Sequence, residues 1–546
     1  MVITPLRSKE SALTPGIPHP WGVSKDAAKS PLPGFSSSVH KIIETAIEKN
    51  DLDFFYRLYL TRMAELSLSG QGKEFIEYAK SSLDDSQNSL FMAKGFEAIG
   101  NLIDLNFTQC IILLDELEAS TRDHEIKVWV DQISNLCRAY VNFHNGDYHL
   151  SLKHAEKSIE SPIKSGTLDP MDRGRLIRLV ACIALITSDF EKIDQCAADI
   201  LNIDNPDDLS VLDQAKSAVK SMQLLCQGEY KKAYDLAKTT IAIEEAANRV
   251  GVASPFDCKF VVIRCLYEFS MVDEALVEIR KLRNEARENN SNFVAYLCEV
   301  GEIRILSRIP DSHDEISKKV SELRNELLIN PDLKAMTWLV DLAEFFAKTL
   351  SNDLGRINTI VERNPEFTYL QQLGKSALNK NKHVDVGDYK NLPENTAYEV
   401  IRKNLHLSKI KSEGVKKQRE YLKTALEKGE QVGALEVFLR QDNSTLEAII
   451  NLSTASNSIW LESLSRLAIE RIQERNRKAK ISGDQLTGRE IEVLKYLVSE
   501  NSITSIGQTL HISKNTMKTH LRNIYRKLDV NGRGEAAKKA KENFII

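Results

Sequence analysis

The sequence is poor in the signals that mark membrane proteins, secreted proteins and the common enzyme classes. Its longest fully apolar run, Leu179 to Ile186, holds eight residues, whereas a membrane span needs about 20. The N-terminus has no continuous apolar stretch of the kind a secretory leader carries. Eight cysteines are scattered without a C-x-x-C. The closest pair, Cys258 and Cys265, has no histidine pair at metal-ligand spacing. Reduced thiols in a cytoplasmic protein are therefore expected. The 11 histidines form no H-E-x-x-H, and no G-x-S-x-G elbow occurs. A phosphate-binding loop is also missing. The nearest match, Gly374-Lys375-Ser376, has Tyr369 where the first glycine should stand and no strand before it, so it reads as a helix end. Gly70-Gln-Gly72-Lys73 fails as well. No enzyme activity, cofactor or metal is expected.

What the chain does have is helix-forming sequence and an uneven charge. Hydrophobic residues make up 42% and charged residues 27% of the 546 positions, with a mean hydropathy of −0.30, the balance of a soluble globular chain. The net charge is only −4, yet residues 471–546 carry a balance of +8 and the remainder −12. A basic tail on an acidic body points to a polyanionic partner for the tail. Six of the 14 prolines (Pro5, Pro15, Pro18, Pro20, Pro31 and Pro33) fall within residues 1–36, which read as a disordered arm.

From Ser37 the apolar residues recur at three- and four-residue spacings, and strand-like alternation is nearly absent. A longer period lies over the short one. Phe107, Tyr148, Phe190, Tyr230, Val272, His313 and Leu354 follow one another at steps of 40 to 42 residues. Three positions after these anchors stand Cys110, Ser151, Ile193, Ala233, Ala275, Ile316 and Ile357. Seven positions after stand Leu114, Ala155, Ala197, Ala237, Ile279, Val320 and Val361. Anchor, +3 and +7 share one helical face, and the small or apolar residues there admit a second helix. Turn formers Gly146, Ser188 and Gly228 precede their anchors by two residues. A unit of about 41 residues therefore holds two helices and a turn, and such hairpins bury their apolar faces by stacking. The cleanest copy, Gly228, Tyr230, Ala233 and Ala237, resembles the tetratricopeptide repeat, with longer helices than its usual unit of about 34 residues. Trp129, Trp338 and Tyr140 are read as core residues, with a concave ligand groove as the alternative.

The last 60 residues are more specific. Thr487-Gly-Arg-Glu490 has the form of a capping box, followed by Ile491, Val493, Leu494 and Leu497 as an apolar face. A short helix is expected from about Ile503 to Leu510. Ser513 then caps a third helix from about Lys514 to Leu528. That helix is two-faced. Met517, Leu521, Ile524 and Leu528 point to a core, while Asn515, Lys518, Thr519 and Arg522 lie on another face that has donors and no acid. Such a face suits the DNA major groove.

This stretch resembles the LuxR-type helix-turn-helix family: L-T-x-R-E-x-E-V-L at 486–494, I-x-x-x-L-x-I-S at 506–513, T-x-K-T-H at 516–520, I-x-x-K-L at 524–528 and V-x-x-R-x-x-A at 530–536. The resemblance implies that Lys518, Thr519 and Arg522 face base edges, with Asn515 at the margin. Thr487, Arg489, Ser513, Lys514, Thr516 and Arg526 are then candidates for phosphate contacts. Plainer roles stay open: Thr487 and Ser513 as helix caps, Arg489 as a partner of Glu490 or Glu492, His520 as a packed histidine. The final helix, Arg533 through Ala540, corresponds to the family's fourth, which often serves dimer contact. The chain departs from the family pattern at Glu500, Ser505 and Gly507, and Gly507 in place of Ala costs about 1 kcal/mol of helix propensity. An array of such repeats before a LuxR-type domain is similar to the large regulators typified by the maltose-regulon activator, without their ATPase.

The expected fold is all-α: a tetratricopeptide-like two-helix repeat superhelix followed by a small four-helix LuxR-type domain. Its parts are a Pro-rich arm (1–36), the repeats (37–376), a polar linker (377–396), a helical cap of the array (397–470), a hinge (471–484) and the DNA-binding domain (485–546). The expected function is a cytoplasmic bacterial transcriptional regulator. Its expected partners are double-stranded DNA, a small-molecule, peptide or protein ligand on the array, and RNA polymerase, with a homodimer on DNA. The alternative is an interaction scaffold tethered to DNA.

Overall fold

A computed structural model describes residues 94–542 apart from short stretches, the longest of which are 161–169, 204–209, 247–254 and 375–393. The arm, the first part of the repeat region and most of the expected linker lie outside the described residues. Every described regular element is a helix.

Among the described residues the array includes the helices α1 (Phe107–Ser120), α2 (His124–His144), α3 (Tyr148–Ile159), α4 (Pro170–Thr187), α5 (Phe190–Leu201), α6 (Ser210–Cys226), α7 (Tyr230–Ala246), α8 (Phe256–Glu268), α9 (Val272–Glu288), α10 (Asn292–Leu306), α11 (His313–Ile329), α12 (Thr337–Leu350) and α13 (Leu354–Arg363). Each of the seven periodic anchors is the first residue of its helix. The seven +3 residues are all buried, none more than 1% exposed, because they meet the preceding helix of the hairpin. Six of the seven +7 residues are buried and Val361 is half-buried. The anchors depart from this pattern. Only Tyr230 is buried, and Phe190 and Leu354 are exposed. A side chain at the first helical position lies over the turn before it, outside the helix–helix seam.

The turn itself repeats. Leu105, Gly146, Ser188, Gly228 and Ser270, each two residues before an anchor, all have left-handed φ, from 59° to 83°. In the α2–α3 turn the amide of Asp147 donates to the Asn142 carbonyl and that of Gly146 to the Phe143 carbonyl, both at 2.9 Å. This is a Schellman closure, which ends one helix and reverses the chain. Asp147, Asp189 and Asp353 then cap the next helix through their carboxylates.

Charge is also periodic in the later units. Glu299 and Glu302 on α10 bind Arg283 and Lys319 on the flanking helices α9 and α11. One unit later, Asp341 and Glu344 on α12 bind Arg324 of α11, with Arg363 and Arg356 of α13. These acids are buried, so each pairing fixes the register in which hairpins stack.

The superhelix turns back on itself. Phe143 of α2 meets Phe293 of α10 edge-on at 4.9 Å, and His144 Nδ1 lies 2.9 Å from Ser291 Oγ. Trp338 packs on Tyr148 and Phe367, and its indole donates to the Gly146 carbonyl at 3.4 Å. Tyr140 donates to the Arg175 carbonyl, and burial pushes its phenol up to about 12. Trp338 and Tyr140 are thus half-buried and packed against the core; the Trp129 side chain lies outside the described residues. Gly374 sits on Val361 within a helical turn, in keeping with a helix end at the failed phosphate-loop match.

Five further helices follow: α14 (Ala397–Leu407), α15 (Gly414–Val432), α16 (Glu436–Leu439), α17 (Asn443–Ser453) and α18 (Ile459–Ser482). Their place differs from the expected cap on the array's last repeat. They dock on the turn edge in mid-array. The Tyr398 amide donates to the Gln227 carbonyl at 3.0 Å, and the Leu435 amide to the Glu268 carbonyl at 2.9 Å. A Cβ at Gly228 would lie 2.8 Å from the Tyr398 nitrogen, so this glycine serves both the left-handed turn and the close approach. Of the expected hinge at 471–484, residues up to Ser482 belong to α18, and 483–484 lie outside the described residues. Arg, Lys, Gln, Glu and Ala fill 471–480 almost completely, and their helix propensity carries α18 through the charged stretch.

Candidate nucleic-acid interface

The C-terminal module comprises α19 (Gly488–Leu497), α20 (Ile503–Thr509), α21 (Lys514–Leu528) and α22 (Arg533–Glu542). It has its own core, in which Val493, Leu494, Ile506, Met517 and Ile524 are almost fully buried. The expected inner face of α21 is confirmed, with Met517, Leu521, Ile524 and Leu528 all buried.

The opposite face is exposed. Asn515, Lys518, Thr519 and Arg522 all reach solvent, on a helix with no acidic residue. Thr519 Oγ1 donates to the Asn515 carbonyl at 3.0 Å. His520 is half-buried between the two faces.

The phosphate candidates divide. Ser513 is exposed and caps α21: its Oγ accepts from the Thr516 amide at 3.1 Å and lies 2.7 Å from Thr516 Oγ1. Both hydroxyls therefore stand at the first turn of α21, where the helix dipole favours an anion. Arg489 is engaged in the fold. It binds Glu492 at 2.5 Å and also donates to the Leu510 carbonyl, which ties α19 to the end of α20. Thr487 and the side chains of Lys514 and Arg526 lie outside the described residues.

Sequence reasoning missed three supports. Glu490 was placed in a capping box, yet it is 2% exposed and its Oε2 accepts from Lys527 at 2.6 Å, joining α19 to α21. Arg533 Nε donates to the Leu497 carbonyl at 2.9 Å and so closes α19 with the last helix. Ser502 caps α20, its Oγ accepting from the Ser505 amide at 3.1 Å. Gly507 has a packing reason: a Cβ there would stand 3.3 Å from the Ile512 carbonyl, in the turn between α20 and α21.

Residues 484–540 match the family described as bacterial regulatory proteins, luxR family. The C-terminal module is a LuxR-type helix-turn-helix domain. Over 63 residues the chain is 40% identical to the transcriptional regulatory protein LiaR of Bacillus subtilis (strain 168), a match covering 12% of this chain and 30% of that protein. Over 75 residues it is 39% identical to the nitrate/nitrite response regulator protein homolog of Haemophilus influenzae, covering 14% of this chain and 34% of that one. The chain thus spans about a third of the length of these curated relatives. A solved structure, the apo form of RapI, aligns at 15% identity with a TM-score of 0.24, over 71% of this chain and 99% of that one.

Proposed function

We propose that the chain is a DNA-binding transcriptional regulator in which the helical array receives a small-molecule, peptide or protein signal and controls the LuxR-type domain. The observation that carries this reading is the two-faced α21, with a buried apolar seam opposite an exposed, acid-free face of Asn515, Lys518, Thr519 and Arg522. In this reading Lys518, Thr519 and Arg522 meet base edges, with Asn515 at the margin. Ser513, Thr516, Lys514, Arg526 and Thr487 meet phosphates, which set orientation without reading sequence. Arg489 reaches phosphate only by leaving Glu492. Two copies on two half-sites and a contact with RNA polymerase complete the reading, in the cytoplasm. Among the described residues no helix is long and apolar enough to cross a membrane.

The test is selection of sheared genomic DNA by the full chain and by residues 478–546, at about physiological salt, where nonspecific phosphate binding is weakened. Enrichment of one short site by the module supports the reading. A site enriched only by the module places the array in a masking role. Enrichment by neither overturns it.

A further inference from the structure

A cavity of about 450 Å³ opens inside the array, between the first helices of the central hairpins and the docked segment, which lines it with Tyr398, Val437 and Arg440. Phe260, Ile263, Leu297, Val300, Leu339 and Phe346 give it a largely apolar wall. That size and lining suit a small organic molecule.

The charged side chains on the wall are already engaged within the protein. Arg178 binds Asp257 at 2.6 Å. Glu268 takes Arg264 at 3.0 Å and Arg440 at 3.4 Å. Arg304 stands 5.6 Å from the ring centres of both Tyr267 and Phe346, and Arg264 and Arg304 have further protein partners. An ion entering the cavity would leave water and find each counter-charge taken, and burying an unpaired ion is expensive. The wall therefore favours an uncharged guest.

The phenols on the wall differ in how they are satisfied. Tyr267 accepts from Arg308 Nε at 2.8 Å. Tyr230, the first residue of α7, is 7% exposed, and its hydroxyl makes no hydrogen bond to any described residue. A buried phenol ordinarily finds a partner. Burial pushes the pKa of Tyr230 far above its usual value, so the group keeps its proton and can donate it to a hydrogen bond.

We propose that this cavity binds one small, uncharged, largely apolar molecule, and that the Tyr230 hydroxyl donates to a carbonyl or similar acceptor on it. The proposal rests on the reading of the array as a receiver and names the chemistry of what it receives.

The same site connects to the path toward DNA. A molecule in the cavity touches the docked segment as well as the hairpins, because both line it. Arg440 directly follows α16, and the carbonyls of Leu439 and Gln441 on either side of it accept from Arg475 of α18 at 3.0 and 2.6 Å. Helix α18 leads to the DNA-binding domain. Occupancy thus bears on the root of that helix, and a molecule that prefers one placing of the docked segment shifts the population toward it.

The experiment is calorimetric titration of the full chain with four probes built on one phenylpropyl skeleton: propiophenone, propylbenzene, 3-phenylpropanoate and 3-phenylpropylammonium. One propiophenone is expected per chain, with the anion and the cation each roughly tenfold weaker or more. Tyr230→Phe should weaken propiophenone about fivefold relative to propylbenzene, which has the same shape and no acceptor. The variant should melt like the parent, since the hydroxyl it loses holds nothing in the empty protein. Tyr140→Phe, which removes a phenol outside the cavity, should leave the preference unchanged, as should Lys518→Ala. No binding of propiophenone at millimolar concentration, either ion binding as tightly as propiophenone, or Tyr230→Phe moving both neutral probes alike overturns the proposal. None of these outcomes touches the DNA selection experiment. Failure of that selection with propiophenone still bound would leave the site standing without its output.

Discussion

Arg475 donates to the carbonyl oxygen of Leu439 at 3.0 Å, a bond that fastens the long helix α18 to the short helix α16. The same guanidinium takes the Gln441 carbonyl and Asn443 Oδ1, so it gathers the C-terminal end of one helix and the start of the next. Arg475→Ala leaves those acceptors without a donor, at about 1–3 kcal/mol for a half-buried group. The expected result is a lower melting temperature and faster hydrogen exchange in residues 436–443. The DNA affinity of the full chain should shift toward that of residues 478–546 in isolation, which lack Arg475 and its partners. An unaltered exchange pattern would show that the latch is not structural.

Lys518→Ala and Arg522→Ala remove exposed donors from α21 without touching its core. Each should cost about 1–3 kcal/mol of discrimination between the selected site and one mutated at a single base pair. Thermal stability should stay within a few tenths of a kcal/mol. Binding assays on matched and mismatched duplexes at one salt concentration check this. An unchanged preference would remove these residues from the reading surface.

Ser188 and Ser270 hold left-handed φ values of 61° and 59° at the turns between paired helices. A side chain there costs roughly 1–2 kcal/mol that glycine avoids. Ser188→Gly and Ser270→Gly should therefore stabilise the array by about 1 kcal/mol each, seen as a raised denaturation midpoint. Gly146→Ala should do the reverse. Its φ is 83° and its Cβ would fall 2.7 Å from Met336.

Burial lowers the pKa of His144 from 6.5 to about 4. The unfolded chain takes up a proton near pH 6.5, whereas the folded one stays neutral until about pH 4. Between these values the unfolded state binds more protons, so stability is complete above about pH 6.5 and falls as the pH drops toward 4. The loss approaches about 3 kcal/mol. His406 acts in the same direction, its pKa lowered to about 4 by burial and by Arg402 and Lys409. Melting curves at pH 7 and pH 5 should show a smaller acid loss in His144→Gln than in the parent. Equal losses would assign the acid sensitivity to other groups.

The local geometry of the array was legible in the sequence. Small and apolar residues at fixed offsets from seven anchors mark the helix–helix seam, because a 3.6-residue helix brings those offsets to one face whatever surrounds it. The same argument separated the two faces of α21, and both Met517 and Lys518 stand where the spacing put them. Capping was legible at Ser513, where the side chain and the amide it serves are three residues apart.

Tertiary structure decided what depends on residues far apart in the chain. Nothing near Arg489 in sequence announces the Leu510 carbonyl, and nothing near Glu490 announces Lys527. Nothing near Glu299 and Glu302 in sequence announces Arg283 and Lys319, which the stacking of hairpins sets against them. The guanidinium cluster around Tyr267 draws on α8, on α10 and its end, and on the docked segment at Arg440, and it exists only because α14 to α18 fold back on the middle of the array. Periodicity encodes which face a residue takes within its own helix. Which residues meet across faces is set by how the hairpins curl, and that follows from the summed packing of the whole superhelix.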